Sequence, residues 1–170
     1  MKRLLSFPNP VNDAAARTVA IGVVAMALLA LAGDVRWMMV PLTYGFIARV
    51  LTGPTMSPLG QFATRVAAPR LRAWRREVAG PPKRFAQGIG AVLTIVTSAL
   101  WLSVGWSVAR WLLVPLIAAA ALEGFFGYCV GCAIFGQLMR FGVVPPSICE
   151  ECGDLRKRYA AAGFRVSDET

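Results

Sequence analysis

Apolar residues in this chain come in long runs rather than in stripes. Four runs stand out: 18–33 (TVAIGVVAMALLALAG); 37–52, which carries Pro41 and Arg49; 86–105; and 111–139, whose one charge is Glu123. A transmembrane helix needs about 20 apolar residues, so the first two runs are slightly short and the others long enough. Only Asp34, Val35 and Arg36 separate the first two runs, and 105–110 join the last two. Each pair therefore reads as a tight helical hairpin. The predicted fold is an all-α integral membrane protein with four transmembrane helices arranged as two hairpins.

The polar segments give that fold a direction. The connection between the hairpins, 53–85, holds Arg65, Arg70, Arg72, Arg75, Arg76, Lys83 and Arg84 against one acid, Glu77. Lys2, Arg3 and Arg17 precede the first run, and Arg156, Lys157 and Arg158 follow the last. With four crossings all three basic groups fall on one side, which the positive-inside rule makes the cytoplasm. Both termini are then cytoplasmic, and Trp37, Trp101, Trp106 and Trp111 gather at the outer turns as an interfacial belt. Within 53–85, Leu59, Phe62, Val66, Leu71, Trp74 and Val78 recur at helical spacing among arginines, with Pro69 between them. This pattern predicts two short amphipathic helices lying on the inner leaflet. The membrane domain is expected over 1–152, with a polar tail at 153–170.

Composition agrees. Hydrophobic residues make up 56% of the chain and charged ones 16%, too apolar for one soluble core. The net charge of +9 sits between the apolar runs, so it argues for an anionic inner leaflet and against nucleic acid. MKRLLSFPNP has no long apolar segment directly behind its basic residues, so the first run is expected to stay as an anchor.

Histidine is missing from the sequence, which removes the usual general base, the commonest metal ligand and any imidazole-dependent triad. The four cysteines form two CxxC pairs, Cys129–Cys132 and Cys149–Cys152, with sixteen residues between them. That spacing brings two sulfurs within one turn of each other, suited to a disulfide, a sulfur carrier or a four-thiolate site for zinc or another soft metal. A cysteine in a membrane helix also serves as a small apolar residue, especially beside Gly127, Gly131 and Gly136. Cys129 lies eighteen residues beyond Trp111, about 27 Å along a helix, which places it at the cytoplasmic edge. A reducing cytoplasm disfavours a permanent disulfide there. Lys83 and Arg84 are expected on the same face, where a cation favours thiolate or holds an anionic sulfur species. Arg49 and Glu123 each lie twelve residues past an outer tryptophan. They are expected to form a buried ion pair locking the hairpins together, with Glu123 also available to tune the thiols.

The strings SPLGQFATRVAAPRL, GPPKRFAQGIGAVLT and LEGFFGYCVGC resemble the bacterial membrane proteins grouped as domain of unknown function 4395. The likeness runs from the first span through Cys132 and on to Cys152. It implies a bacterial inner (plasma) membrane location and rhodanese-like or thioredoxin-like cytoplasmic partners, and it carries no established activity. The two-pair layout also resembles bacterial mercury-uptake proteins. The expected function is a membrane-embedded thiol protein handling electrons or sulfane sulfur with a cytoplasmic partner. A quinone is a conceivable membrane-side redox partner, and a soft-metal carrier or structural zinc site is the alternative. Glycine-rich faces at Gly127 and Gly131 suit a homodimer.

Overall fold

The first long helix starts earlier than its apolar run. In the computed structural model, which describes residues 10–71, 77–145 and 148, Asn12 caps helix α1 (Asp13–Leu31). Its side-chain oxygen accepts the Ala14 and Ala15 amides at 2.9 and 3.4 Å, and Asp13 in the first turn complements the helix dipole. Just ahead, strand β1 (Val11–Asn12) pairs antiparallel with β2 (Glu77–Val78), Val11 opposite Val78. This clasp ties the start of α1 to the segment leading into the third long apolar run.

After a turn with Asp34 at φ 51° and a 3₁₀ turn (Arg36–Met38), α2 occupies Met39–Thr52. Pro41 falls in its first turn, where no amide is needed. Gly53, at φ 64°, and Pro54 end it. Ser57 caps α3 (Pro58–Phe62), and a π-helical turn (Ala63–Ala67) leads into α4 (Ala68–Arg70). The wide turn accommodates Pro69, whose ring would clash with the carbonyl four residues back and which has no amide to offer it. The Ala68 amide instead reaches the Ala63 carbonyl. The helical path thus runs from Pro58 to Arg70, one residue past Pro69, and the described part of this segment ends at Leu71.

This segment does not lie flat on the bundle's end. Leu59 covers Gly22, where a Cβ would meet the leucine methyls at 2.7 Å. Gly22 is about 14 Å from the start of α1, so α3 packs beside the first half of that helix. Leu59 and the buried Ala63 and Ala68 draw α3–α4 against α1.

Helix α5 (Gly80–Ser103) also starts early, with Pro81 and Pro82 in its first turn. Gly105 then turns the chain into α6 (Trp106–Ala109), a 3₁₀ turn (Arg110–Leu112), α7 (Leu113–Ala121) and a π-helical turn (Leu122–Phe126), a continuous helix of 21 residues. The fourth apolar run is therefore not one helix through residue 139. Gly127 adopts φ 72° and caps the helix, its amide bonded to the Glu123 carbonyl at 3.0 Å. A separate helix, α8 (Val130–Arg140), follows.

Among the described residues three helices are long and apolar enough to cross a membrane: Asp13–Leu31, Gly80–Ser103 and Trp106–Phe126. Helix α2, at 14 residues, is shorter. Helix α1 packs on α7 and its π turn, α2 on α5, and α8 folds back onto α5. The core holds Val23, Met39, Leu42 and Leu113, while Leu28, Leu29, Val92, Ile95 and Leu102 face outward, as lipid-facing positions do. Trp37 and Trp111 are exposed at 76% and 62%. Trp106 is buried instead, its ring meeting Trp101 edge-on at 5.6 Å, so only part of the expected tryptophan belt faces outward.

Candidate functional site

Three helix ends meet at one point. The first turn of α1 supplies Asp13, the first turn of α5 supplies Lys83, and the π turn after α7 supplies Glu123. Lys83 Nζ lies 2.5 Å from Glu123 Oε1 and 3.4 Å from Asp13 Oδ1, and all three side chains are nearly buried. A buried ammonium between two carboxylates satisfies charges that apolar surroundings would otherwise penalise heavily. Arg17, one turn into α1, donates Nε to the Gly124 carbonyl at 3.3 Å and Nη2 to the Phe125 carbonyl at 2.8 Å. It thereby caps the electronegative end of the π turn.

Beyond this cluster the chain turns through Gly127 and Tyr128 into the first CxxC pair. Cys129 is the N-cap of α8, and its Sγ accepts the Cys132 amide at 3.4 Å. Both thiols are free and partly buried. The hydrogen bond from the Cys132 side chain pulls the Cys129 thiol below its ordinary pKa, and the Lys83 charge adds to this against burial and Glu123. Cys132 moves the opposite way, raised first by that same hydrogen bond and then by burial. The pair is thus polarised into one thiolate-prone sulfur at a helix N-terminus and one protonated donor. Gly131 holds this geometry in place, because α8 passes α5 so closely that a Cβ there would sit 2.5 Å from the Ala86 methyl. Gly131 is therefore used within the chain, not on a free face for a second copy.

The expected Arg49–Glu123 ion pair does not form. Arg49, 5% exposed, donates Nε to Gln87 Oε1 at 2.9 Å and Nη1 to Ser57 Oγ at 3.2 Å, and stacks over the Phe46 ring. Glu123 is taken by Lys83 instead. Depth counted from the tryptophans placed the two residues level, but Arg49 is on α2, which packs on α5, whereas Glu123 ends the helix that packs on α1. Lys83 escapes the pairing argument because the apolar run starts at residue 86, whereas the helix starts at Gly80, more than one turn earlier. Arg84 is corrected too: it donates Nε to the Val50 carbonyl at 3.0 Å, tying α5 to the end of α2. Adjacent helix residues point about 100° apart, so Lys83 and Arg84 do not serve the same neighbours.

Two cavities share Gln87, and Lys83 lines the second of them. One, of about 100 Å³, is walled mostly by aliphatic side chains with Cys129, Glu123 and Gln87 at its polar margin. The other, of about 260 Å³, is lined by Asn12, Arg49, Thr64, Lys83 and Gln87. Among the described residues no three of the metal-ligating types converge on a point. Cys149 and Cys152 lie outside the described residues, as do 72–76 of the basic segment and the 153–170 tail.

A family model described as "Domain of unknown function (DUF4395)" matches residues 11–140. The chain belongs to this family. The matched stretch starts at β1 and ends with α8, so the Asp13–Lys83–Glu123 cluster and the first CxxC pair fall inside it. Neither the curated proteins nor the solved structures offer a match to the chain.

Proposed function

We propose that this DUF4395 protein is a membrane-embedded thiol protein whose Cys129–Cys132 pair exchanges electrons with a cytoplasmic partner through Cys149–Cys152. The observation that carries the reading is the placement of Cys129: N-cap of α8, Sγ receiving the Cys132 amide, and close to a lysine held by two carboxylates. The chain crosses the plasma membrane four times with both termini in the cytoplasm, and α3–α4 complete the second crossing that the short α2 begins. The basic segments support this direction, as does the gathering of Asp13, Lys83, Glu123 and Cys129 at the bundle end opposite the tryptophans.

The exchange balances without a further reagent. The Cys129 thiolate attacks one sulfur of a disulfide (Cys149–Cys152, or a thioredoxin-like partner's), forming a mixed disulfide and expelling one thiolate. Cys132, on losing its proton, attacks Cys129 Sγ, closing the Cys129–Cys132 disulfide and releasing the second thiolate. Two electrons pass to the acceptor, and the thiol protons end on its two sulfurs.

A second reading is favoured by the apolar cavity beside Cys129, which offers room for one extra sulfur atom. In it the Cys129 thiolate attacks the outer sulfur of a partner's persulfide, becomes a persulfide itself and releases the partner's thiolate, with no net oxidation. Trapping with a maleimide polymer in intact membranes separates the two. Electron exchange requires Cys132, so Cys132→Ser stops at a mixed disulfide; sulfur carriage survives Cys132→Ser and is lost in Cys129→Ser. If both thiols stay fully reduced and unmodified under oxidant and persulfide donor alike, the thiol reading falls.

A further inference from the structure

Buried Arg49 makes no ion pair among the described residues; Glu123, the acid within electrostatic range of it, is bonded to Lys83. The described partners of Arg49 are two neutral acceptors and an aromatic face, although a guanidinium carries five N–H donors and must stay charged. Helix interiors at this depth tolerate such a cation only when it is paired or lines a polar cavity. Arg49 lines the cavity of about 260 Å³ at the break between α2 and α3.

The polar groups around that cavity are mostly donors. Because arginine only donates, the Gln87 oxygen must face Arg49. The Gln87 amide NH₂ then has no acceptor among the described residues. Lys83, on the same wall, has three N–H bonds and two described carboxylate partners. The acceptors nearby are already engaged: the Asn12 side-chain oxygen caps α1, and Ser57 Oγ takes both Arg49 Nη1 and the Gly60 amide. A space rich in free donors and poor in free acceptors complements an anion. Its volume admits a tetrahedral oxyanion with some water around it.

We propose that this cavity binds a small oxyanion of the sulfate, thiosulfate or phosphate type, held by Arg49 and Gln87 with Lys83 beside it. The phosphate of an anionic lipid headgroup offers the same chemistry, since Pro10 and Val11 at the cavity margin lie at the end of the bundle. The site stands apart from the thiol reading, because none of its donors is a cysteine.

The test uses the full chain in nanodiscs, one set of phosphatidylcholine and one with added phosphatidylglycerol, titrated with sodium thiosulfate, sulfate or phosphate at constant ionic strength against chloride. Thermal unfolding and calorimetry read binding. The expected result is saturable stabilisation by an oxyanion in the phosphatidylcholine discs, weakened at least tenfold in Arg49→Gln and unchanged in Arg65→Gln, which alters an exposed residue. If Arg49→Gln fails to fold, Thr64→Phe fills the cavity while leaving Arg49 in place and is expected to lose the same binding. Stabilisation by phosphatidylglycerol that abolishes the oxyanion response identifies the lipid as occupant; equal responses in both discs identify a soluble anion. Cys129→Ser/Cys132→Ser is expected to bind as the parent does, so failure of thiol chemistry and failure of this site are separate results. The proposal is overturned if no oxyanion and no anionic lipid stabilises the protein beyond chloride, or if both Arg49→Gln and Thr64→Phe respond as the parent does.

Discussion

Replacing Lys83 by methionine keeps the chain length of the side chain and removes its charge, which turns the cluster from a satisfied triad into two buried carboxylates facing each other. Breaking a buried pair by removing one partner costs about 3–5 kcal/mol. With side chains 7% and 13% exposed, solvent offers little rescue, so about 3 kcal/mol is the expected loss for Lys83→Met. Glu123→Gln in the Lys83→Met background removes the worse of the two orphaned charges. The double variant is therefore expected to recover about 2 kcal/mol of the summed losses, a coupling typical of side chains in direct contact. The same cycle on Arg49 and Glu123, which make no ion pair but lie within electrostatic range of each other, should give a clearly smaller coupling than Lys83 and Glu123. Unfolding in mixed micelles, followed by far-ultraviolet circular dichroism, measures all four corners of both cycles. A Lys83–Glu123 coupling below about 0.5 kcal/mol, or one no larger than the Arg49–Glu123 coupling, would refute the assignment of Lys83 as the partner.

Two further consequences are open to direct measurement. Alkylation needs thiolate, and Cys129 is held below the ordinary thiol range while Cys132 is held above it; iodoacetamide at pH 7 should therefore label Cys129 well before Cys132. Lys83→Met, by removing a cation that lowers the Cys129 pKa, should move the Cys129 rate profile to higher pH, and equal rates for the two thiols at every pH would contradict the polarised pair. At the α2–α5 crossing, Gly90→Ala would push a methyl into the Phe46 ring and should cost about 1–3 kcal/mol. Phe46→Leu should recover part of that loss, which an independent pair of sites would not do.

Length and apolarity along the chain located the long helices well, because a run of apolar residues reports burial in lipid or core directly. They placed the helix ends less well. Asn12 and Asp13 are an ordinary capping signal and extend α1 five residues before residue 18, yet a search for apolar runs passes over them. Pro81 and Pro82 read as a boundary, whereas proline is at home in a helix's first turn; this added Gly80–Phe85 to α5 and brought Lys83 inside it. Gly127 had the opposite effect. Its left-handed backbone ended a helix that hydropathy alone would have carried to residue 139. The β1–β2 clasp has no pattern of its own, since two residues on each side are too few to show an alternation.

The site was legible in its residue types and not in its pairings. Lys83, Glu123, Arg49, Cys129 and Cys132 all follow from asking which charged or nucleophilic groups occur in or beside apolar runs. Pairing them needs more than depth. Counting from an interface gives a position along the membrane normal, but contact also needs the direction in which each helix presents its side chain and the order in which helices surround one another. Arg49 and Glu123 shared a depth and differed in neighbours, since α2 rests on α5 and the Glu123 turn rests on α1. Asp13 and Lys83 lie outside the apolar runs 18–33 and 86–105, where charge requires no partner. Once capping extended both helices over them, their burial demanded one, and Glu123 was the acid at the neighbouring helix end. The pairing error thus has the same origin as the boundary error: two helix starts that lie about one and a half turns ahead of the apolar runs moved two charges from solvent into the bundle.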